Sequence, residues 1–74
     1  MVRTPVSSSD LASVGYDPTT RVMEIEFVRG AVYEYANIPP AVHAGLMAAD
    51  SHGKYFNVHV KHSYAYRRLQ APRR

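Results

Sequence analysis

The chain has no cysteine and no tryptophan, only two phenylalanines and four glycines, and no acidic residue after position 50. Without cysteine no disulfide can staple the fold, and no thiolate can attack a substrate or hold a metal. Without tryptophan and with little phenylalanine, the six tyrosines must supply core volume as well as any exposed aromatic surface. No apolar run approaches the roughly 20 residues needed to cross a bilayer. The opening Met1-Val2-Arg3-Thr4-Pro5 lacks the apolar centre of a secretory signal. The expectation is a cytoplasmic protein with no membrane association. At 74 residues it should form one domain with a small core.

The missing acids also divide the chain electrically. The first fifty residues carry three arginines against six acids, a net −3. The remainder carries Lys54, Lys61, Arg67, Arg68, Arg73 and Arg74 and sums to +6. Such asymmetry fits a polyanion-binding side or a solubilising basic tail.

What is present reads as an α+β domain. Residues 1–8 look like a flexible lead. Residues 11–16 suit a first strand, with Val14 and Tyr16 as its inward pair and Leu11, Ser13 and Gly15 on the other face. Asp17-Pro18-Thr19-Thr20 is a turn in which aspartate can accept from the backbone ahead of it. Residues 21–27 alternate strictly, Met23, Ile25 and Phe27 facing one way and Glu24 and Glu26 the other, the pattern of a sheet with one buried face. Arg29-Gly30 turns the chain into a third strand, Ala31 to Ala36. Its Tyr33 and Tyr35 should share the apolar face while Glu34 joins the other glutamates. The connections are too short for parallel crossovers, so the expectation is a three-stranded antiparallel meander. Pro40 can open a helix through Ala49, laying Val42, Leu46, Ala49 and Met47 on the sheet, with His43 outside. Gly53 is a plausible left-handed residue ending that helix. Residues 54–62 fit a strand or a short helix, the helix being preferred, so the C-terminal element is helical or extended. The domain proper spans 9–69, and 70–74 reads as a disordered basic tail.

In order along the chain stand Ser9, Gly15-Tyr16-Asp17, the strand ending near Gly30, Tyr33-x-Tyr35, Pro39, Ser51-x-Gly53-x-Tyr55-Phe56-Asn57 and Tyr64. Together they resemble the KTSC domain, named for the C-terminal extension of some lysyl-tRNA synthetases, over roughly residues 8–69. The resemblance implies a small domain found alone in bacterial and phage proteins or fused to a synthetase. That fusion suggests RNA binding by association only. It brings no catalytic residues to this sequence.

The leading functional reading is a non-enzymatic module that binds RNA or single-stranded nucleic acid. Bases stack on aromatic faces and phosphates attract Lys and Arg. Tyr55, Tyr64 and Tyr66 interleave with Lys54, Lys61, Arg67 and Arg68, with Tyr33 and Tyr35 at the sheet end. The bland reading makes Tyr33, Tyr35, Tyr55, Phe56 and Tyr64 core residues. A second reading is a nucleotide or other small-anion pocket at Ser51, His52, Gly53 and Lys54, where a glycine turn and a lysine could hold phosphate. It lacks a phosphate-loop spacing, and an ordinary helix-ending turn explains the same residues. A third is a protein-interaction or homo-oligomeric assembly module, since a small meander leaves two strand edges open. His59 and His62 share a face only in a helix and make an incomplete zinc pair. No nucleophile–base–orienter set is visible. The expectation is therefore no catalytic residue, no metal site and no cofactor.

Overall fold

The computed structural model describes residues 1–72. Five strands and two helices follow in the order β1 (Arg3–Pro5), β2 (Leu11–Asp17), β3 (Val22–Phe27), β4 (Val32–Tyr35), α1 (Pro40–Ala48), α2 (His52–His59) and β5 (Tyr66–Gln70). The strands form one antiparallel sheet in sequence order. The α+β class stands, but the sheet has five strands instead of three. Both additions are edge strands without an apolar alternation. Arg3–Pro5, expected as a flexible lead, pairs with Ser13–Gly15. Tyr66–Gln70 pairs with β4 and is exposed along its whole length. Neither strand announces a buried face, so periodicity could not find them. Gln70 belongs to β5, while residues 73 and 74 of the expected basic tail lie outside the described residues.

The central hairpins follow the alternation. Met23 stands opposite Tyr16 and Tyr35, and Ile25 opposite Val14 and Tyr33, so these side chains share the inner face. Glu24 stands opposite Glu34 on the outer face. Leu11 departs from the expected phase. It is buried although Ser13 and Gly15 point outward, because the register shifts between Leu11 and Ser13. That β-bulge inserts one unpaired residue and returns Leu11 to the inner side. Asp17 Oδ1 accepts from Thr19 N–H, as the turn chemistry predicts. Gly30, at φ 99, closes the β3–β4 hairpin in a conformation that disfavours a side chain.

Both helices lie over the inner face. Leu11, Val14, Met23, Ile25, Tyr35, Ile38, Leu46, Phe56 and Val60 form the core. Of the stripe expected on α1, Leu46 is fully buried, and Val42 and Met47 pack beside the core. His43 is not outside: its ring stacks on Tyr16, 4.4 Å between centroids. Tyr16 in turn donates its hydroxyl to the Ile38 carbonyl at 2.6 Å. Gly53 does not end a helix. The chain breaks at Ala49–Ser51, and Ser51 caps a new helix by accepting from Lys54 N–H at 3.2 Å. Gly53 is buried in the first turn of α2.

Candidate functional site

The inner face of the sheet is not covered evenly. Between the β3–β4 hairpin, α2 and β5 a groove of about 660 Å³ remains. Its floor is aromatic. Phe27 packs edge-on against Tyr33 and Phe56 at 5.7 and 5.4 Å, and Tyr35 edge-on against Phe56 at 5.4 Å. These are ordinary core geometries. Tyr66, opposite Tyr35 in the β4–β5 register, extends the aromatic surface outward. Its ring lies 5.5 Å from Tyr33 and 5.8 Å from Tyr35, yet it stays 61% exposed. Tyr33 is half-buried between them, whereas Tyr35 is only 3% exposed. Burial, followed by the neighbouring Tyr33 and Tyr66 hydroxyls, pushes the Tyr35 pKa up to about 12. Tyr35 therefore serves as a neutral floor.

One wall is the face of α2 that carries Gly53 and Asn57, four residues apart and hence one above the other. Lys61 and His62 continue that wall past the helix end, and Arg29 projects from the β3–β4 turn. Ser9 and Asp10, on the approach to β2, complete the rim. A Cβ on Gly53 would sit 2.8 Å from Asp10 Oδ2, so glycine permits the carboxylate to rest directly on the helix.

The residues expected to bind nucleic acid separate into four places. Tyr33, Tyr35, Lys61 and Tyr66 meet at the groove. Arg68 stands opposite Tyr33 in the register and so on the same sheet face. Arg67 points to the outer face, where it pairs with Glu34 at 3.1 Å. Lys54 and Tyr55 lie on the far side of α2, along a shallow hollow with Ser51 and His59. Tyr55 packs against Gly45 of α1 and its ring lies 4.3 Å from His59. Tyr64 is half-buried against the core. The four residues of the small-anion reading are also divided. Ser51 is the helix cap, His52 Nδ1 donates to the Leu46 carbonyl at 2.8 Å, Gly53 faces the groove, and Lys54 is exposed on the other side.

Phe27, Arg29, Asp10 and Asn57 carried no functional assignment from sequence, and His62 was weighed only as half of an incomplete zinc pair. Ser9 and Asn57 belonged to the family pattern, which offered the available signal. Asp10 gave none, because only the pairing of β2 with β3 brings it to α2. Among the described residues no group of three or more His, Asp or Glu side chains could hold a metal, and no helix is long and apolar enough to cross a membrane.

The family model described as KTSC domain matches residues 7–64. The chain is 44% identical over 70 residues to an uncharacterized protein of Stutzerimonas stutzeri, covering 93% of this chain and 99% of that protein. It is 39% identical over 54 residues to a lysine–tRNA ligase of Nostoc sp., covering 73% of this chain and 10% of the ligase. A crystal structure of a KTSC domain protein from Yersinia pestis matches with TM-score 0.88 and 38% identity, covering 93% of this chain and 97% of that one.

Proposed function

The chain belongs to the KTSC domain family, and from that premise we propose that it is a non-enzymatic module whose aromatic groove binds single-stranded RNA. The observation that carries this reading is the position of Tyr66. A tyrosine that had only to fill core volume would be buried, yet this one stands 61% exposed in contact with Tyr33 and Tyr35. An unpaired base laid on Tyr66 would extend the aromatic surface and cover it from water. Lys61 and Arg29 at the rim, and Arg68 beside Tyr33, stand where the phosphates of a stacked nucleotide would pass. A volume of about 660 Å³ suits a small ligand, so the groove takes one or two bases, not a duplex. A matching segment occurs within lysine–tRNA ligases, enzymes named for an RNA substrate, which supports the reading without carrying it.

The test is fluorescence anisotropy of a labelled single-stranded RNA against the protein, Tyr66→Ala and Lys54→Ala. A stacked base lost from tyrosine weakens binding about 5- to 150-fold. Tyr66→Ala should fall in that range, and Lys54→Ala, on the far side of α2, should stay within twofold of the parent protein (~0.4 kcal/mol). No binding at low salt, or equal losses from the two variants, would remove the groove as an RNA site.

A further inference from the structure

Aromatic stacking is indifferent to base identity, since every base has a π-face. The groove nevertheless ends in a group that is not indifferent. Asp10 presents its carboxylate on the α2 wall beside Gly53, in the same groove as Asn57 and Tyr66. Among the described residues that carboxylate makes no hydrogen bond and no ion pair. The Asp10 backbone, by contrast, is fixed: its N–H donates to Ser8 Oγ at 3.1 Å, and its carbonyl accepts from Val28 N–H at 2.9 Å. The carboxylate is thus an exposed, acceptor-only group anchored through its backbone at the rim of a groove lined mainly by rings and cations. It gives nothing to a phosphate and repels one. It suits a ligand edge made of N–H donors.

We infer that the groove is selective for guanine, with Asp10 accepting from the base edge; this rests on the RNA-binding reading above. The argument is one of donor and acceptor patterns. Guanine alone among the four bases presents two adjacent donors on its pairing edge, N1–H and the N2 amine, and a carboxylate accepts both at once. Adenine and cytosine each offer one amine next to an acceptor nitrogen, which the second carboxylate oxygen would meet unfavourably. Uracil offers one N–H between two carbonyls, both repelled. Asn57, with a donor and an acceptor on the same wall, can meet the guanine carbonyl. Lys61, on the chain after α2, offers the nucleotide's phosphate a cation on the same groove.

The experiment compares short labelled oligouridylates carrying one central guanine, adenine, cytosine or inosine, with the parent protein, Asp10→Asn and Gly53→Ala. A good bidentate contact discriminates by roughly 5- to 150-fold. The parent should prefer guanine to adenine at least about tenfold, within that range. Inosine lacks the N2 amine and should fall between them. Asp10→Asn keeps the side chain's shape but replaces one acceptor with a donor, so the preference should shrink to less than about twofold, below what a good bidentate contact provides. The ratio of affinities is the readout, because removing a negative charge raises affinity for every RNA. Gly53→Ala gives the same loss of preference without a change of charge, since its Cβ would displace Oδ2. Its added methyl meets the tip of a flexible side chain, and alanine favours the helix, so the variant folds. Binding without base preference, or a preference that Asp10→Asn leaves intact, overturns the inference while the RNA reading survives. Failure of every oligonucleotide to bind the parent overturns both.

Discussion

Single residues in this protein are stretched across two duties because the chain has so few large apolar side chains. Tyr35 shows it most clearly. It is at once the floor of the groove and a member of the core, and its hydroxyl is kept neutral by burial and by Tyr33 and Tyr66. A tyrosine whose pKa rises from 10.0 to about 12 on folding holds its proton in the native state after the unfolded chain has released it. The unfolded state then binds fewer protons, and stability falls as pH rises. The contribution is intact below pH 10.0 and is lost progressively up to about 12. Urea midpoints measured on both sides of that window should fall more steeply for the parent than for Tyr35→Phe. Equal slopes would mean that the hydroxyl is not held neutral by its surroundings.

At the scale of elements, the two helices are joined by side chains that double as spacers. Ser51 starts α2, His52 ties it back to the Leu46 carbonyl, and the Tyr55 ring occupies the space over Gly45. A Cβ on Gly45 would lie 2.7 Å from Tyr55 Cζ, and an aromatic ring held between helices cannot move aside as a flexible tip can. The better helix propensity of alanine, about 1 kcal/mol, is opposed by an overpacking cost of about 1–3 kcal/mol. Gly45→Ala should therefore lower the thermal midpoint, by several degrees at the upper end of that cost, where a domain this size shifts about 4–8 °C per kcal/mol. The contrast with Gly53→Ala is informative. Both glycines sit in helices and both are crowded, but one faces a ring and the other a carboxylate tip, so only the first should lower a melting midpoint.

Over the whole molecule, the +6 of the last 24 residues overstates the charge available to a ligand. Arg67 is drawn to Glu34 on the outer face and Lys54 lies behind α2. Lys61 and Arg68 remain near the groove, joined there by Arg29 from the β3–β4 turn. Three phosphate contacts at a single-strand slope of about −0.7 each predict roughly a 20-fold loss of affinity between about 50 and 200 mM salt. Engagement of all six cations in the last 24 residues would instead give a loss of roughly 300-fold over the same range. Anisotropy titrations across that salt range distinguish the two, and Arg67→Gln should leave the slope unchanged while Lys61→Gln reduces it by about 0.7.

The alternation of Met23, Ile25 and Phe27, the Asp17 turn, Gly30 and Pro40 made the central meander and the first helix legible from sequence, because each is a local rule acting over a few residues. The shared face of Tyr33 and Tyr35 followed from the same period. The family pattern was legible too, since it depends only on residue order. Tertiary structure decided what has no local signature. Strands β1 and β5 exist because a neighbouring edge supplies their hydrogen bonds, not because they carry an apolar stripe. The bulge that buries Leu11 reverses a phase that alternation alone would assign to the other face. The division of the basic residues followed from register, which sends Arg67 outward and Arg68 inward, and from the helical rotation that turns Lys54 away from its neighbour Gly53. Asp10 stands more than forty positions before Asn57, and only the folded sheet, which sets the approach to β2 against the start of α2, places both in one groove.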